Sequence, residues 1–104
     1  MSWLLLVLAG VFEVVWAIAL KYSNGFTNIK ASVIVIIGMI VSIYFLALAM
    51  KQIPISIAYP VWTSVGALGT ATFGMMFLGD SVSLTKTFFL SLILVGVVGL
   101  KAVS

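Results

Sequence analysis

The sequence predicts an all-α membrane protein, four transmembrane helices joined by short turns. The first observation is composition. Of 104 residues, 64% are hydrophobic and 7% charged, with a mean hydropathy of +1.40, more apolar surface than a soluble domain of this size can bury. The second is segmentation: apolar runs fall at about 2–20, 31–50, 55–78 and 84–103, each near the roughly 20 residues a helix needs to cross a bilayer. The third is a carboxyl group. Glu13 is the only acidic residue inside any of these runs; at 1.5 Å per residue it lies about 16 Å along the first, near the middle of a core roughly 30 Å thick. An acid at that depth costs several kcal/mol against lipid, so it faces a partner or a wet cavity.

What is missing narrows the chemistry. There is no cysteine and no histidine, and all five cations are lysines. Disulfides, thiolate metal sites and nucleophilic thiols are therefore excluded, as are the usual general base and the commonest metal ligand. No nucleophile–base pair, phosphate loop or metal cluster appears, so neither enzyme activity nor a cofactor is expected. Five scattered lysines make no basic patch for nucleic acid; they read as charges flanking membrane spans. The N-terminus lacks a basic leader region and a small-residue cleavage site, and reads as a first transmembrane helix rather than a cleaved signal.

Helix one, about 2–20, ends where Lys21-Tyr22-Ser23-Asn24-Gly25 supplies Asn and Gly to stop it. Helix two, 31–50, closes on Lys51-Gln52-Ile53-Pro54, with Pro54 able to open helix three at 55–78. Gly79 then gives a stop and Ser83 a cap for helix four, 84–103. With the N-terminus on one side, Lys51 and Lys101 share that side, while Lys21, Lys30 and Lys86 lie on the other. Orientation follows Lys/Arg imbalance, and a difference of one is almost none. The chain is therefore expected to insert both ways and to form an antiparallel, dual-topology dimer. Secondary transporters commonly use inverted repeats around a midplane site; two oppositely inserted copies would supply such a repeat.

Helical spacing groups the inward-facing residues. Gly10, Glu13, Trp16 and Ala17 share a face of helix one, with Ala9 beside them. Gly38, Ser42 and Phe45 align on helix two, with Ser42 about 15 Å from Ser32 and so at nearly the depth of Glu13. Helix three carries Tyr59, Trp62, Thr63, Gly66 and Gly69 or Thr70 on one stripe. Its Pro60 leaves the Ser56 carbonyl unpaired, and with Gly66 and Gly69 following, this is the helix expected to bend. In helix four, Gly96 and Gly99 form a small-residue seam suited to close packing. Trp3, at a terminus, reads as an interface-belt residue, and Asp80 as a solvated loop acid.

A carboxylate flanked by tryptophan and tyrosine suits an organic cation, since charge pairing and cation–π attraction both strengthen where water is excluded. A planar guanidinium fits especially well, because it forks two N–H bonds to one carboxylate and is weakly hydrated. In a dimer two such glutamates titrate as a unit. A site that reorients only when filled by protons or by the cation performs proton/cation exchange.

These residues resemble the small multidrug resistance family, and in helix one its guanidinium-exporter subtype. The resemblance runs the whole length: Phe12-Glu13-Val14-Val15-Trp16-Ala17 followed by Leu20-Lys21-Tyr22, Ala58-Tyr59-x-Val61-Trp62, and Gly96-x-x-Gly99-Leu100-Lys101. It implies a proton-coupled antiporter of the bacterial inner membrane that exports guanidinium and small guanidinyl cations as an antiparallel homodimer. Glu13 would alternate between protons and substrate, Trp16, Ser42, Tyr59 and Trp62 would line the pocket, Gly10, Pro60, Thr63 and Gly66 would shape it or hinge it, and helix four would form the dimer contact through Gly96 and Gly99. Ser56, Ile57 and Pro60 look more like members that export polyaromatic cations or act as pairs, and Ser64 stands where the subtype has glycine. The alternative is therefore an exporter of quaternary ammonium or aromatic cations, as a homodimer or as one half of a heterodimer. A channel or a noncatalytic membrane subunit are the remaining readings.

Overall fold

The computed structural model describes residues 2–103. The chain forms four α-helices in order: α1 (Ser2–Tyr22), α2 (Ile29–Ala49), α3 (Ile55–Phe77) and α4 (Leu84–Val103). Every helix and strand position assigned among the described residues is helical. Three of the helices, α1, α2 and α4, are long and apolar enough to cross a membrane. The 23-residue α3 is long enough but less apolar, because Tyr59, Thr63, Ser64, Thr70 and Thr72 interrupt it. Of the four spans expected from the sequence, three are plainly apolar helices and α3 is of mixed character.

In the turns before α2 and α4, side chains take up backbone groups the helices leave unpaired. Between α1 and α2, the buried Ser23 hydroxyl donates to the Leu20 carbonyl at 2.6 Å and accepts from the Phe26 amide at 3.2 Å. Gly25, at φ +70°, carries the reversal between Asn24 and Phe26, which also have positive φ. Asn28 then caps α2 by accepting from the Ala31 amide. Pro54 precedes α3 as its N-cap residue and Ser83 accepts from the Lys86 amide at the start of α4, the two helix starts expected from those residues. Pro60 sits inside α3, which runs unbroken past it.

α1 is the central element. It lies against α2 and α3, α4 approaches the backbone of α3 alone, and α2 and α3 meet over a short stretch. A core of Leu6, Ala9, Leu46, Ala49, Ile53, Ala58 and Val61 ties α1, α2 and α3 together at one end. The alanines in it let the helix axes come close. α4 is the outlier: no residue on it is buried, although Val97 and Leu100 touch the core and the Lys101 ammonium lies 5.2 Å from the centroid of the Trp3 ring. The described chain is a slab, 17 Å through its shortest axis.

Candidate functional site

α1 and α3 lie side by side in the same direction, and three glycines bring them close. A Cβ on Gly10 would stand 2.5 Å from Val65 Cγ1, one on Gly69 would stand 2.5 Å from Val14 Cγ2, and one on Gly66 would overlap the Glu13 carboxyl group. Gly66 is therefore the floor on which the carboxyl rests, in a volume only hydrogen can leave open. On the other side of α1, Gly38 of α2 seats Trp16, whose Cβ would be 3.0 Å from an added methyl group.

Ser42 joins the three helices. Its hydroxyl is fully buried, donates to the Ala9 carbonyl of α1 at 2.6 Å and accepts from the Trp62 indole N–H of α3 at 2.9 Å. Trp62 in turn packs against Tyr59, ring centroids 5.5 Å apart and tilted by 51°. The tyrosine itself is half exposed. On the α1–α2 seam, Phe12 stacks on Phe45 at 5.8 Å.

Among the described residues, the buried side-chain oxygens and nitrogens left without a hydrogen-bond partner are Glu13 Oε1, Trp16 Nε1 and Thr70 Oγ1. Buried polar atoms are normally paired, so these three stand out: Glu13 and Thr70 on the α1–α3 side, and Trp16 on the side of α1 that meets α2. Beyond them, towards Tyr22, a cleft of about 510 Å³ opens between α2 and α3 over α1, walled by Val15, Ile18, Ala19, Ala31, Ile34 and Phe73. Glu13 does not line that cleft; its carboxyl lies in the α1–α3 seam against Gly66.

The structure thus brings Gly10, Glu13, Trp16, Ser42, Trp62 and Gly66 onto the faces shared by α1, α2 and α3, with Tyr59 half exposed beside Trp62. Thr63 is exposed and Pro60 partly buried. Gly96 and Gly99 are remote from this group, with open space around both. Sequence reasoning missed the Ala9 carbonyl as the acceptor for Ser42, and it left Gly69 and Thr70 as alternatives on one stripe. Both are used: Gly69 admits Val14, and Thr70 carries an unpaired hydroxyl. The described residues contain no group of three or more His, Cys, Asp or Glu able to hold a metal.

The sequence has known relatives. The sequence model of the family described as Small Multidrug Resistance protein matches residues 1–93. The chain belongs to the small multidrug resistance family. It is 50% identical over 104 residues to the guanidinium exporter of Yersinia pseudotuberculosis serotype I (strain IP32953), covering 100% of both chains. It is likewise 50% identical over 101 residues to the guanidinium exporters of Citrobacter freundii and Salmonella typhimurium, covering 97% of this chain and 96% of theirs. Membership in this family of transporters, together with three apolar helices of spanning length, makes this small multidrug resistance protein a multi-pass membrane protein.

Proposed function

We propose that this protein exports guanidinium and small guanidinyl cations in exchange for protons across the bacterial inner membrane, as an antiparallel dual-topology homodimer. The observation that carries the reading is the Glu13 carboxyl, resting on Gly66 with one oxygen buried and unpaired. A guanidinium presents two parallel N–H donors that match a carboxylate. A proton satisfies the same oxygen. Occupation by one excludes the other, and a transporter that reorients only when filled couples the two fluxes. Trp16, Tyr59 and Trp62 offer ring faces to the cation, and the Ala9–Ser42–Trp62 hydrogen bonds hold Trp62 in place.

The dimer rests on two supports: the near balance of lysines on the two sides, and an α4 with no buried residue and two open glycines. Two copies packed through α4, with Gly96 and Gly99 at the contact, would enclose both Glu13 sites. In that assembly α3 is the fourth span, its polar residues turned to the interior. The second reading, export of quaternary ammonium or aromatic cations or pairing with a different subunit, draws on Ser56, Ile57 and Pro60 in α3.

The test is charge movement by the protein reconstituted alone in liposomes. Guanidinium added on one side should drive current and opposite proton flux, and both should vanish in Glu13→Gln. Currents for quaternary cations alone would replace the substrate assignment. Guanidinium current indifferent to a pH gradient would replace the exchanger with a channel, and silence from folded protein would replace the homodimer with a heterodimer.

A further inference from the structure

The unpaired hydroxyl of Thr70 has no task in the reading above. Three helical hydroxyls of this chain turn back onto their own backbone: Thr72 donates to the Leu68 carbonyl at 2.8 Å, Ser91 to Thr87 at 2.8 Å and Ser32 to Asn28 at 2.7 Å. Thr70 has the same option with the Gly66 carbonyl four residues earlier and does not take it. An unmatched hydroxyl away from water is costly, so a buried one that declines its local acceptor is held for something else.

Its position follows from the helix register. Gly66 meets Glu13 and Gly69 meets Val14, so Thr70, one turn beyond Gly66, lies just past Glu13 along the same seam. Phe73, three residues further, walls the cleft over Val15, Ile18 and Ala19 of α1. Thr70 therefore stands between the carboxyl and the cleft.

We propose that the Thr70 hydroxyl is a specificity-determining acceptor for the guanidinium held by Glu13. The inference rests on the guanidinium reading and deepens it. A guanidinium has N–H donors on every side and no acceptor. Glu13 engages two of them, and the remaining amino group must find an oxygen or stay unpaired in a dry site. Trp16 Nε1 is itself a donor and cannot serve. Of the three unpaired buried atoms, Thr70 Oγ1 is the one besides the carboxylate that accepts. A cation without N–H groups gains nothing from it, so Thr70 favours guanidinium over such cations.

The experiment compares wild type, Thr70→Val and Thr70→Ser by calorimetric titration with guanidinium, by guanidinium currents in liposomes and by thermal melting. Valine keeps the shape and removes the oxygen, and serine keeps the oxygen. Thr70→Val should weaken guanidinium affinity about tenfold, as expected for a hydrogen bond between neutral and charged groups, raising KM while the maximal current holds. Thr70→Ser should stay within about twofold of wild type by the same measure, and all three should melt together. Unchanged affinity in Thr70→Val overturns the proposal. So does equal weakening in both variants, or a melting temperature that falls in step with affinity, since either assigns the residue to packing. Wild-type protein that binds no guanidinium overturns the transport reading first, an outcome distinct from a wild type that binds and a valine variant that binds equally well.

Discussion

Gly66 of α3 and Glu13 of α1 are in such close contact that a single methyl group on the glycine would overlap the carboxyl. Most glycines in membrane helices serve to bring two backbones together. This one brings a backbone against the Glu13 carboxyl, the group proposed to hold substrate, so on that reading its substitution acts on chemistry as well as packing.

Gly66→Ala is accordingly expected to displace the carboxyl, weaken guanidinium binding by about tenfold or more and cost about 1–3 kcal/mol in stability, the usual range for overpacking a tight contact. Titration of guanidinium into purified protein, alongside thermal melting, separates the two effects. Wild-type affinity in the alanine variant would mean that the carboxyl is free to sit elsewhere.

Ser42→Ala removes the hydroxyl shared by the Ala9 carbonyl and the Trp62 indole. The buried indole N–H then lacks its partner, a loss of about 1–3 kcal/mol. Reduced melting temperature and a loosened Trp62 are expected, the latter visible as red-shifted tryptophan emission in a protein where Trp3 and Trp16 are changed to phenylalanine. Cysteine at position 42, which keeps a weak donor and acceptor, should fall between the two.

If protons and guanidinium share Glu13, raising the pH removes the competitor. The apparent KM for guanidinium should then fall as pH rises, and level off once the carboxyl is fully ionised. Measuring transport at several pH values on the substrate side tests this. A KM independent of pH in wild type would separate the proton site from the cation site.

Gly96 and Gly99 have open space around them in the single chain. Valine at both positions should leave the fold of the single chain intact, because nothing within it is touched, yet weaken self-association and transport together. Cross-linking yield across a range of protein-to-lipid ratios is the readout. Full dimerisation by the double variant would move the contact away from this seam.

Gly74 presents a contrasting case. A methyl group there would come within 2.5 Å of Asp80 Oδ2, and the Gly74 carbonyl accepts from the amides of both Leu78 and Asp80. Gly74→Ala should disturb the α3–α4 turn, lowering the melting temperature with guanidinium affinity unchanged, which makes it a control for Gly66→Ala.

The sequence by itself determined that four helices form and nearly where they stop, and it singled out Glu13 as the candidate chemical centre. Those features depend on local or one-dimensional properties: apolar run length, turn residues such as Gly25, Pro54 and Ser83, and a single acid in a run that should hold none. Helical periodicity also put Trp16 beside Glu13 and Trp62 near Tyr59. Tertiary structure decided the rest, because distances between helices depend on which small residues meet across a seam. Periodicity identifies a face without saying what it faces. It did not reveal that Gly66 supports Glu13 while Gly38 seats Trp16, that Ser42 donates to a backbone carbonyl of another helix, or that Thr70 leaves its own helix unbonded. Each of these is a contact between residues far apart in the chain, selected by close packing, and close packing exists only once the helices have met.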